Sequence, residues 1–152
     1  MISFDIHPFE GAGPIKFGTS RSRVLEILSA PRRERLREDS WGPLSNINVG
    51  YNEEGKVCEV GLRPGDFELR FNGRLIWSPD RHPDPNPIFL VLDPEPLERV
   101  GFLVFTKLGV ATVGYHDDDP AQFAVSIYQE GAWDELLVKA RRPDLDKYKL
   151  SA

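Results

Sequence analysis

Val49-Gly50-Tyr51-Asn52-Glu53-Glu54 returns 64 residues later as Val113-Gly114-Tyr115-His116-Asp117-Asp118. In each copy an apolar run ends in an acidic turn, the composition of a β-hairpin. The same offset carries Ile27-Leu28 onto Val91-Leu92, and a slip of two residues carries 57–62 onto 123–128. The shared order of helix, hairpin, acidic turn and strand predicts two tandem helix-plus-hairpin units, at about 15–77 and 85–138. The expected fold is α+β: one antiparallel twisted sheet with helices packed on one face, in a single domain over 1–152.

Working outward, Ile2, Phe4 and Ile6 alternate with Ser3 and Asp5 in the period of a half-buried strand. Thr19 or Ser20 can cap a helix whose apolar positions Val24, Leu25, Ile27 and Leu28 make one face, and Pro31 stops it. The charges between Arg32 and Glu38 alternate in sign around Leu36, as on an edge strand defended against aggregation. Phe67, Leu69 and Phe71 face one way and Glu68 and Arg70 the other, and Asn72-Gly73 turns the chain into 74–77. Six prolines fall between residues 79 and 96, the one stretch with linker composition. Within it, Ile88-Phe89-Leu90-Val91-Leu92 after Asn86-Pro87 suits a short buried helix with proline in its first turn. Residues 101–105 and 110–115 read as a hairpin, 123–127 as a strand and 133–138 as a closing helix. The charged tail from Lys139 is expected to fray.

The run Gly13-Pro14-Ile15-Lys16-Phe17-Gly18-Thr19-Ser20, followed by Val24-Leu25-Glu26-Ile27-Leu28 and Pro31, resembles the opening of small bacterial proteins of the BamE/SmpA-like fold. It is also similar to the β-lactamase-inhibitor-protein fold, a tandem of such units. Thr19 stands where that motif usually has Met, and Ala30 where it has the glycine before the proline. The resemblance implies a binding or inhibitory module, including immunity proteins that neutralise a toxin by occluding its surface. Extracytoplasmic members carry a signal peptide and often an anchored cysteine or disulfides. This chain shows neither, so the resemblance implies an intracellular, immunity-like version.

At 152 residues one ordinary core buries roughly 70% of the unfolded chain's surface, so no metal or disulfide staple is required. The net charge of −5 argues against a nucleic-acid or anionic-membrane partner and favours a neutral or basic one. One cysteine, Cys58, excludes an intramolecular disulfide and points to a reducing compartment. Met1 to Pro8 lacks a basic start and an apolar run, and no apolar stretch approaches the ~20 residues of a membrane span, so a cytoplasmic location is expected.

The chemistry-bearing residues read as structural. Pro14 removes a donor from the Gly11-Ala12-Gly13 turn, which therefore makes a poor phosphate cradle. Three consecutive carboxylates in His116-Asp117-Asp118-Asp119 cannot all reach one ion, so no metal or other cofactor is expected. Cys58 sits within a strand pattern, where a lone thiol behaves as a small apolar group. Arg32, Arg33, Arg35 and Arg37 are offset by interleaved acids. No catalytic residue is assigned. The expected binding residues are Trp41 and Trp77, placed beside turns from which they could reach an exposed face, with the outward Glu68 and Arg70 of a concave sheet face. The function expected is a non-catalytic protein-binding module, immunity-like or inhibitory, that occludes another protein of basic or toxin-like character. The alternative is a small-ligand or enzymatic domain with a pocket between the sheet and 79–96, using His82 or His116.

Overall fold

Strands dominate the chain and form two sheets. The computed structural model describes residues 2–115 and 119–148. In chain order its elements are β1 (Ile2–His7), β2 (Gly11–Ala12), β3 (Ile15–Lys16), α1 (Arg21–Leu28), β4 (Arg33–Glu34), β5 (Glu38–Trp41), β6 (Ile47–Tyr51), β7 (Val57–Leu62), β8 (Phe67–Phe71) and β9 (Arg74–Trp77). There follow α2 (Asn86–Leu92), β10 (Leu97–Arg99), β11 (Phe102–Phe105), β12 (Val110–Val113), β13 (Ala124–Tyr128) and α3 (Asp134–Leu137). Five strands pair in the order β3-β2-β1-β8-β9, with β1 and β8 parallel. Eight pair in the order β10-β11-β12-β13-β7-β6-β5-β4, antiparallel throughout.

The expected α+β arrangement of helices on one face of a single sheet is therefore wrong: what faces the eight-stranded sheet is a second sheet. Phe4 and Ile6 of β1 and Phe67, Leu69 and Phe71 of β8 share one buried cluster with Val49, Val60, Leu62, Val125 and Ile127 of the larger sheet. The physical reason is area. Helix α1 fully buries only Val24, and α2 only Asn86 and Phe89, too little apolar surface to cover so many half-buried strands. The period-two segments cover one another instead.

Local chemistry places the helices as expected. Ser20 caps α1, its hydroxyl accepting from the Arg23 amide, and a proline opens α2. Helix α1 precedes the meander β4 to β7, and α2 precedes the meander β10 to β13. The two meanders join through their last strands, β7 and β13. Strands β4 and β10 begin 64 residues apart, as do β5 and β11. Strands β8 and β9, read above as part of the first unit, belong to the other sheet. The 79–96 stretch is bonded into the fold rather than strung as a linker. Trp77 Nε1 donates to the Pro83 carbonyl (3.0 Å), Thr112 Oγ1 donates to Asn86 Oδ1 (2.6 Å), and the buried Asp93 carboxylate accepts from the Glu95 and Lys107 amides.

The tail does not fray over its described part, 139–148. Glu98 on the edge strand β10 exchanges two backbone hydrogen bonds with Arg141, and its carboxylate takes the Arg141 guanidinium (3.0 Å), the Lys147 ammonium and the Tyr148 hydroxyl (2.9 Å). Burial pushes the Glu98 carboxyl upward, but these three donors outweigh it and hold its pKa down to about 2. A carboxyl depressed on folding stabilises the fold above its unfolded value, near 4.5, and loses that contribution as pH falls toward 2. Acidification across that window is expected to lower the protection factor of the Arg141 amide, the slowing of its exchange relative to the unfolded chain at the same pH, before those of the β7 and β13 amides. Glu98→Gln should remove the pH dependence of that protection factor, and an unchanged protection factor down to pH 2 would refute the tether.

Candidate functional site

The outer face of the eight-stranded sheet, turned away from β1 and β8, is only partly covered. Trp133, at the start of α3, packs with Leu136 and Leu137 on Val104, Ala111 and Tyr128. The Trp133 ring lies flat on Tyr128 (centroids 4.7 Å, 8°), and Phe102 meets its edge (5.4 Å, 76°). Beyond Trp133 no described residue adds a further layer on the face of β13, β7, β6 and β5. Pairing fixes one row across it: Ala111, Ser126, Gly61, Asn48 and Ser40 stand side by side on five successive strands. The neighbouring row holds Tyr128, Glu59, Gly50 and Glu38. Solvent-facing strand positions usually carry long polar side chains, whereas glycine, alanine and serine here leave a groove of about 240 Å³.

Glu38 and Glu59 flank Gly50 on its two sides, each directly paired with it. The two strands approach closely here, since a Cβ on Gly50 would lie 3.4 Å from the Glu59 Cβ. Burial raises the Glu59 pKa; the bond from Trp133 Nε1 to its Oε2 (3.2 Å) opposes this, and the charge of Glu38 adds to it. Neither carboxylate has a cation within ion-pair distance among the described residues. On the floor, Ser126 is only 9% exposed, and its hydroxyl has no hydrogen-bond partner among the described residues. Asn48 is committed, its amide accepting from Ser40 Oγ (2.8 Å) and donating to the Ser45 carbonyl (2.8 Å). Arg63 lies at the end of the groove beside Ala124, exposed and unpaired among the described residues. The chemistry offered is thus two carboxylates and a hydroxyl over a flat floor, suited to recognition.

The four binding residues expected from sequence do not converge. Trp41 and Trp77 are 7% and 1% exposed, so neither reaches the exposed face expected of it. Trp41 spends its indole N–H on the Ser29 carbonyl (3.2 Å), while Trp77 is core to the smaller sheet. Glu68 and Arg70 pair with each other (3.3 Å) on the outer face of β8, in the other sheet, with Arg70 also donating to the Gly73 carbonyl. The residues missed are Glu38, Glu59, Gly61, Ser126 and Trp133. Their signal was present: the outward positions of 57–62 and 124–128 hold glycine and serine where a solvated face would hold long polar residues.

The remaining expectations resolve one by one. Burial pushes the Cys58 thiol up, and Glu59 adds to it, which disfavours the thiolate a nucleophile needs. Gly11 serves a tight hairpin, since a Cβ there would stand 2.3 Å from the Ile15 carbonyl oxygen. His116, Asp117 and Asp118 lie outside the described residues, while Asp119 caps the turn that follows, accepting from the Ala121 amide. The alternative pocket does have a counterpart, a cleft of about 270 Å³ between β9 and Arg81, Pro83, Asp84 and Ile88. His82 does not line it; its ring stands edge-on to Trp77. No helix among the described residues is long and apolar enough to cross a membrane. No protein-family model, curated protein or solved structure matches this chain.

Proposed function

We propose that this chain is a non-catalytic protein-binding module that occludes a basic surface of its partner with the outer face of its eight-stranded sheet. The observation that carries the reading is the pair of carboxylates, Glu38 and Glu59, without a cation at ion-pair distance among the described residues, over a floor kept bare by Gly50, Gly61 and Ser126. Bare floor lets a partner approach the sheet closely, and fixed carboxylates reward a positive one. A cytoplasmic immunity-like or inhibitory role is the sharpest form of this proposal, in keeping with the resemblance of residues 13–31. The small-ligand alternative has less behind it, because no described histidine lines its cleft.

The test begins with capture of a partner from host lysate on the tagged protein, followed by the same capture with Gly61→Lys. A Cβ at Gly61 would meet only Asn48 Cβ and Ser126 Oγ at 3.7 Å, ordinary contact distances, and the backbone there is extended. The substitution therefore fills the groove and supplies an internal cation while leaving the fold intact. Binding of the captured partner is expected to weaken at least tenfold. Unchanged binding would remove the groove from the interface.

A further inference from the structure

Resting on that reading, we propose that the groove is a receptor for an arginine side chain of the partner, its guanidinium seated between Glu38 and Glu59 above Gly50. Both glutamates pair with Gly50 from opposite sides, so their backbones stand about 10 Å apart, two strand spacings, with their side chains on one face. The charge of Glu38 acts on Glu59, and a gap of that size between two carboxylates on one face fits one planar group that donates in several directions. The acceptors are distributed to match. Glu38 offers both oxygens, and Glu59 offers the oxygen that Trp133 leaves free. Ser126, a residue nine-tenths buried whose hydroxyl has no partner among the described residues, lines the same groove.

Four acceptor oxygens on three side chains suit the five N–H donors of a guanidinium better than the point charge of an ammonium. A calcium ion would need six to eight oxygens, and the backbone carbonyls of β6 and β7 are held in the ladder. Phe102, Val113 and Ala124 give one end of the groove an apolar surface against which the arginine methylenes can lie. Trp133 is the positioning residue: stacked on Tyr128, it fixes Glu59 through the indole N–H.

The experiment is an NMR titration of the full 15N-labelled chain with Nα-acetyl-arginine amide. Parallel arms use Nα-acetyl-lysine amide, Nα-acetyl-citrulline amide and calcium chloride. The arginine compound is expected to give saturable shifts at the Gly50, Gly61 and Ser126 amides and the Trp133 indole proton, with lysine and citrulline at least tenfold weaker. Glu59→Gln and Glu38→Gln should each weaken it tenfold or more while the rest of the spectrum stays in place; if one variant fails to fold, the other decides. No saturable shifts at those positions, equal binding of citrulline or lysine, or saturable calcium binding there would overturn the proposal. If Gly61→Lys still blocks the captured partner while the arginine compound leaves the groove unshifted, the binding face stands and the arginine assignment falls.

Discussion

Asp39→Ala is expected to cost about 3–5 kcal/mol, because it strips the partner from a largely buried ion pair. Asp39 is 1% exposed, and its carboxylate accepts from Arg21 Nη2 (2.6 Å), Arg21 Nε (3.0 Å) and the Tyr51 hydroxyl (2.9 Å). The same guanidinium donates to the Leu36 and Arg35 carbonyls (2.9 and 2.7 Å) and lies 4.9 Å from the Tyr51 ring centre. This one cluster ties α1 to β5, to the β4–β5 turn and to β6. The Arg21 side chain is 32% exposed and can recover some hydration, which places the expected loss toward the lower bound. For a chain of this length that is roughly 6–12 °C in Tm by calorimetry. The paired replacement Asp39→Leu with Arg21→Met should cost less than Asp39→Ala alone, since it leaves no buried charge behind. A loss below about 1 kcal/mol for Asp39→Ala would show that the cluster is not a structural tie.

Phe89→Ala should be nearly as damaging, at about 3–5 kcal/mol, through the cavity it opens. Phe89 is fully buried and is the only side chain of α2 whose ring touches both sheets among the described aromatic pairs. It meets Phe71 of β8 edge-on at 5.3 Å and Phe105 of β11 at 5.5 Å. Phe89→Leu keeps most of the volume and should recover more than half of the loss in urea unfolding. Equal costs for the two variants would place the contribution in the aromatic contacts rather than in packing volume.

The segments were largely legible because strands announce themselves at short range. Phe67, Leu69 and Phe71 alternate, Asn72-Gly73 turns, and Ser20 and Pro87 mark helix starts; each is a local rule that the structure follows. Their partners were not legible. Nothing near Ile2-Ser3-Phe4-Asp5-Ile6 says that it will lie parallel to 67–71 rather than at an edge of the hairpin sheet. That choice turns one sheet into two, and it follows from long-range burial that period alone does not encode. The site failed for a related reason. Trp41 and Trp77 sit beside turns, a position that favours exposure, yet both rings close the core and their N–H groups find carbonyls. Glu59 and Ser126 are 67 residues apart in sequence and meet only because β7 pairs with β13. The docked tail was hidden likewise: Lys147 and Arg141 look solvated until Glu98, on the exposed edge of the sheet, gives them a partner.

In the proposed function, recognition belongs to the outer face of the eight-stranded sheet and not to that of β8. Its most direct test is the dissociation constant of the captured partner, by calorimetry, for the wild-type chain, for Gly61→Lys and for the double variant Glu68→Gln with Arg70→Gln. A rise of tenfold or more is expected for Gly61→Lys, with the double variant within twofold of wild type. Loss of binding in the double variant with Gly61→Lys unchanged would contradict it and return the interface to the smaller sheet.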